Sequence, residues 1–142
     1  MTLDQQLLRV LLDKGGWESY RKYIEVKDLE LNVGKLVRVV DKLYESGAES
    51  ITESDLHLML NTQYPNMKDN VVGLCNILIT ETYKIDTDSV IFKQVMSNYK
   101  NKQMSAKIGA FALESMDDPD KLNIDKLKEL ITLYEQNKVE ED

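Results

Sequence analysis

Apolar residues recur at three- and four-residue steps along most of this chain, the spacing that lines one face of an α-helix. Leu3, Leu7, Leu8, Leu11 and Leu12 form the first such stripe. It predicts a helix from Thr2, as N-cap, to Lys14, with Gly15-Gly16 as its stop. Trp17 to Glu25 reads as a short second helix turning Trp17, Tyr20, Tyr23 and Ile24 inward, and residues 25 to 32 as a connector. Leu36, Val39, Val40, Leu43 and Tyr44 mark the next helix. Gly47 ends it, because glycine enters the left-handed C′ conformation without steric cost. Thr52 and Asp55 have capping-box spacing and open a helix that carries Leu56, Met59 and Leu60.

Tyr64-Pro65-Asn66 breaks the chain, since a residue before proline avoids the α region. Val71, Leu74, Cys75, Leu78 and Ile79 then predict an apolar face on a helix from Met67 to Tyr83. After a cap at Asp86-Thr87, a long helical region is expected from Asp88 to Ser115, bent or turned into a hairpin where Asn and Lys cluster between Asn98 and Gln103. Met116 to Pro119 ends it. Asn123 is placed to cap a last helix whose stripe is Ile124, Leu127, Leu130, Ile131 and Tyr134. The final NKVEED reads as a solvated end. No strand-like alternation persists, so the expected fold is all-α. A globular helical subdomain spans 1–85 and a helical hairpin, C-terminal helix and acidic tail span 86–142, within one domain overall.

Composition narrows the class. The 142 residues are one domain's worth of chain, able to bury about two-thirds of the unfolded surface. A 42% hydrophobic and 30% charged content fits a globular protein rather than a disordered tail. Cys75 is the single cysteine, which excludes an internal disulfide and fits a reducing, cytoplasmic setting. Asp4, Arg9 and Asp13 interrupt what would be the apolar core of a signal peptide, and no apolar run approaches a membrane span.

The net charge of −7 is uneven. Residues 114 to 142 carry ten acids and four bases, whereas residues 89 to 113 carry Lys93, Lys100, Lys102 and Lys107 and no acid. These four lysines are the candidates for weak, salt-sensitive nucleic-acid contact, which the acidic balance of the chain opposes.

Catalytic chemistry is missing. The one Gly-Lys pair, Gly34-Lys35, is followed by Leu36 and preceded by Leu29 where a phosphate-binding loop needs glycine. His57, the single histidine, reads as a helix-surface residue, and Cys75 among Leu74 and Leu78 as a small buried hydrophobe. Asp117-Asp118 reads as a helix-end pair beside proline rather than a cation site. No catalytic, cofactor or metal residue is assigned.

A family resemblance supplies what the chemistry does not. DQQLLRVLLD at 4–13, VKDL at 26–29, the run from Leu36 through VVDKLYESG to Gly47, and ITESDLHLML at 51–60 resemble the N-terminal domain of DnaB-type replicative helicases. SVIFKQVMSNYKNKQMSAKIGAFALESMDDPD resembles, more loosely, that domain's long helical hairpin. Lys100 and Lys102 stand where the family often has arginine, and Leu29 where it often has phenylalanine, as in a divergent, phage-type member. The resemblance implies a protein-interaction and oligomerisation domain that assembles a hexamer collar and docks a primase or helicase loader, within a bacterial cytoplasm.

It also implies that the hairpin pairs between subunits. Phe92, Met96, Tyr99, Met104, Ile108 and Phe111 are the expected oligomer interface, with Ala106 and Ala110 allowing close approach. The ATPase motor would then lie beyond Asp142 in a longer parent. The competing reading is a stand-alone helical adaptor or helicase-loading protein.

Overall fold

The structure, a computed structural model, describes residues 2–87, 89–121 and 123–136. Among the described residues the chain is all-α, with seven α-helices and three 3₁₀ turns and no strand. It divides into two compact units, Met1–Phe92 and Lys93–Asp142, so the division falls inside the first turn of the long sixth helix.

The first unit holds α1 (Leu3–Leu12), α2 (Lys14–Tyr20), α3 (Leu31–Glu45), α4 (Glu53–Gln63) and α5 (Asp69–Tyr83). Short 3₁₀ turns at Arg21–Tyr23 and Val26–Asp28 link α2 to α3. Helices α1, α3 and α5 pack on one another, α4 covers α3 and α5, and α2 folds back on α1. Leu7, Leu8, Leu11, Leu36, Val37, Val39, Val40, Leu56, Leu60 and Ile79 are fully buried between them. Burying such side chains contributes about 1.5–3 kcal/mol each, so this unit carries a core of ordinary strength.

The helix ends follow local chemistry. Thr2 and Thr52 each form a complete capping box, with Gln5 and Asp55 returning the bond to the cap nitrogen. The Thr52 N–H holds the Asp55 carboxyl below the usual carboxylate range. Gly47 takes φ +99° after α3, as a C′ glycine should.

Several expectations change. Gly15-Gly16 do not stop the first helix. Asp13 breaks it for one extended residue, then its carboxylate accepts from the Gly16 N–H and starts α2 through both glycines. Helix α2 ends at Tyr20, and Arg21–Tyr23 tighten into a 3₁₀ turn. Leu43 is only half-buried while Val37, passed over in the stripe, is fully buried. Leu74, expected to point inward, is 55% exposed, because Cys75, Ile79 and Thr82 define the face of α5 that meets the core.

Several polar groups inside the first unit are tied, while the Gln63 side-chain oxygen is buried without a hydrogen-bond partner. Asp41 accepts from Trp17 Nε1 at 2.8 Å and from Arg21 Nε and Nη2 at 2.8 and 2.9 Å. Arg21 Nη1 donates to the Ile24 carbonyl at 2.8 Å. Arg9 sits 5.6 Å from the centre of the Tyr83 ring and donates to the Ile85 carbonyl.

Tyr44 donates to the Leu12 carbonyl and Tyr83 to the Ile51 carbonyl. Burial pushes both phenols up to about 12. Each folded phenol therefore keeps a proton that the unfolded chain releases near pH 10, so this stability is full below pH 10 and is lost as pH rises towards 12. The loss should reach about 2–3 kcal/mol for Tyr44, and less for the half-buried Tyr83. Urea midpoints measured from pH 8 to 12 check this. Tyr44→Phe, which cannot ionise, should give a shallower alkaline fall; an unchanged slope would show that Tyr44 does not control it.

The second unit contains most of α6 (Ser89–Asp117), a 3₁₀ turn at Pro119–Lys121 and α7 (Ile124–Gln136). Helix α6 runs unbroken through 98–103, so the hairpin turn expected there does not form. Asn, Lys and Gln are tolerated within a helix, and that stretch has neither glycine nor proline to end it. Asn123 does cap α7, accepting from the Lys126 N–H. Residues 137–142, the expected solvated end, lie outside the described residues.

Candidate interaction surface

Helix α6 presents three faces. Phe92, Val95, Met96 and Tyr99 follow at helical steps and are all buried. Asn101, Met104, Ile108, Phe111 and Ser115 then follow at alternating three- and four-residue steps, which align them on a second face. Tyr134 of α7 hydrogen-bonds to Asn101 of this face. Only a reversal of the chain between 118 and 123 can bring Tyr134 back to the middle of α6, so α6 and α7 run antiparallel. The hairpin expected within 88–115 is therefore replaced by one long helix with α7 turned back beside it. Phe111 is buried, Met104 and Ser115 are half-buried, and Ile108 is 36% exposed.

Of the six residues expected to form an oligomer interface, Phe92, Met96, Tyr99 and Phe111 are thus covered within the single chain. Only Met104 and Ile108 remain partly open. The large apolar side chains that make Phe92, Met96, Tyr99 and Phe111 conspicuous in the sequence are also what favours their burial.

The third face was not singled out. Lys102, Ala106, Gly109, Leu113 and Met116 recur at four- and three-residue steps, the spacing of a coiled-coil seam, and all are exposed. Leu113 is 64% and Met116 78% exposed, and a Cβ built on Gly109 meets nothing within 4 Å. The signal was present in the heptad spacing but was masked by the small side chains at 106 and 109.

Helix α7 adds apolar surface. Its stripe is strongly one-sided, yet none of its residues is buried. Leu127, Leu130 and Tyr134 are half-covered, while Ile124 and Ile131 are 53% and 44% exposed. A helix with a well-formed apolar stripe normally buries it.

The four lysines do not make one patch. Lys93, Lys100 and Lys107 are seven residues apart and share a stripe, whereas Lys102 lies on roughly the opposite side of α6. Lys93 and Lys100 are also half-buried.

Other candidates have structural roles. His57 lies between α4 and α5, with Nδ1 2.8 Å from Asn76 Oδ1, rather than standing free on a helix surface. Cys75 is fully buried and burial pushes its thiol up, away from the reactive thiolate. No group of three metal-ligating side chains converges among the described residues. A cleft of about 380 Å³ lies between the start of α2 and Phe92, but the carboxylate at its edge, Asp13, is engaged by the Gly16 N–H. None of the described helices is long and apolar enough to cross a membrane. Comparison with protein families, curated proteins and solved structures gives no match to this chain.

Proposed function

We propose that this chain is a self-associating protein-interaction module, the N-terminal collar domain of a DnaB-like replicative helicase. In that role it holds subunits together and offers a docking surface to a primase or helicase loader. The observation that carries the reading is the second unit: a long helix and an antiparallel partner that leave Leu113, Met116, Ile124 and Ile131 open to solvent. Exposed apolar residues clustered on one helical pair mark an interaction site. The compact helical first unit agrees with the helical head that the sequence resemblance implies, whereas the hairpin it implies over 89–120 is a single helix here. The sequence carries no phosphate-binding loop, which supports reading this chain as something other than the ATPase motor itself.

The mass of the chain in solution, measured by light scattering over a concentration series, tests this reading. A dimer or larger species is expected, and a monomer at every concentration contradicts it. The purified chain should hydrolyse no ATP; activity that tracks with the polypeptide through purification would overturn the assignment. DNA binding should be weak and lost at physiological salt, because the split lysines compete with an acidic chain. A complex with an oligonucleotide that survives that salt would contradict this.

A further inference from the structure

We propose that the exposed face of α3 binds an acidic helical segment of another protein, with Lys35, Arg38 and Lys42 as its cations. The face lies in the first unit, so it is separate from the self-association proposed above and stands without it.

Positive charges follow one another along this helix. Leu31, Lys35, Arg38 and Lys42 recur at four- and three-residue steps, which sets them on one stripe. Leu31 is 72% exposed, Arg38 and Lys42 are exposed, and Lys35 is half-buried. Like charges one turn apart repel and destabilise a helix. Asp41 is the one acid between Leu31 and Lys42, and Trp17 and Arg21 hold its carboxylate. Arg38 and Lys42 make no ion pair among the described residues, and Glu45, one turn beyond Lys42, is not paired with it. The repulsion is therefore left for an outside anion to relieve. The Lys35 ammonium lies 5.9 Å from the centre of the Tyr64 ring, a cation–π contact that restrains it.

The stripe selects the class of partner. Its charges are roughly 5 Å apart along the helix axis, the spacing that acids at three- and four-residue steps have on another helix. An acidic helix laid beside α3 meets Lys35, Arg38 and Lys42 together, and an apolar residue one turn from its acids covers Leu31. A nucleic acid fits less well. The chain carries −7 overall, which repels a long polyanion but is screened over the reach of a short segment. Lys35 also already covers the Tyr64 ring, on which a base would otherwise stack.

The full chain is titrated with two alanine-rich helical peptides of equal composition and followed by amide NMR. One peptide carries a leucine and glutamates at the steps of the stripe, and the other carries them in scrambled order. The first should bind, shift the amides of 31–45 and weaken as salt rises. Arg38→Glu with Lys42→Glu should weaken it by about tenfold or more, and Lys102→Glu, in the second unit, by about twofold at most. Arg38→Gln with Lys42→Gln should also weaken binding, while the melting temperature stays level or rises because the repulsion is gone. A face that served only stability would show the opposite pattern. Equal binding of the scrambled peptide, or tighter binding of a single-stranded oligonucleotide of equal charge, would overturn the proposal. So would shifts confined to other helices, unchanged binding in the variants, or no binding by the wild type. None of these outcomes alters the mass of the chain in solution, which tests self-association separately.

Discussion

Gly16→Ala should destabilise the first unit by about 3 kcal/mol or more, the upper range for forcing atoms into a packed site. A Cβ at this position would lie 2.1 Å from the Val10 carbonyl oxygen and 3.3 Å from the Phe92 ring. The first of these neighbours is backbone, so relief requires α1 and α2 to separate where they pack. Urea unfolding reads the loss directly, and a chain of this size should melt roughly 10 °C lower. Gly109→Ala provides the contrast. It sits within α6 with open space around it in the single chain, so replacing glycine there should raise the stability of the monomer by about 0.5–1 kcal/mol. A Gly16→Ala change of under about 1 kcal/mol would mean that the α1–α2 approach is looser than described.

Asp41→Ala should be the most damaging polar substitution, at about 2–3 kcal/mol. It removes the acceptor of three hydrogen bonds and leaves Trp17 Nε1 and the Arg21 guanidinium without it. The side chains of Arg21 and Asp41 are 28% and 18% exposed, so solvent softens the penalty below that of a fully buried pair. Asp41→Asn keeps one acceptor and should fall between wild type and alanine. Combining Asp41→Ala with Arg21→Met in a double-mutant cycle should show coupling of about 1–2 kcal/mol. Simple additivity would show that the two residues act separately.

These two sites mark the limit of what the sequence could reveal. The apolar stripes, the Thr52 box, the Gly47 cap and the Asn123 cap were legible because each depends on residues within one or two turns. The Asp41 cluster was not, because it joins α3 to residues 20 and 24 positions earlier, and no local pattern encodes that pairing. The role of Gly16 was misread for a related reason. Two adjacent glycines look like a stop, whereas here Gly16 permits two helices to touch and Asp13 supplies the cap.

The interaction surface shows the same division. Of the large apolar residues expected at the interface, Phe92, Met96, Tyr99 and Phe111 are already buried in a single chain, while Met104 and Ile108 stay partly open. Leu74 was assigned inward, although the face of α5 that carries Cys75 and Ile79 settled against the core instead. Which of two apolar faces is left open depends on the packing of the other helices. Helix α6 continues through 98–103, and α7 meets it through the Tyr134–Asn101 hydrogen bond.

Hydrogen–deuterium exchange at low and high protein concentration tests the central claim most directly, because it reports where copies meet as well as whether they do. Raising the concentration should slow exchange in peptides covering 102–117 and 124–136 and leave α1 to α5 unchanged. Equal exchange at both concentrations, or new protection confined to α4 and α5, would contradict it.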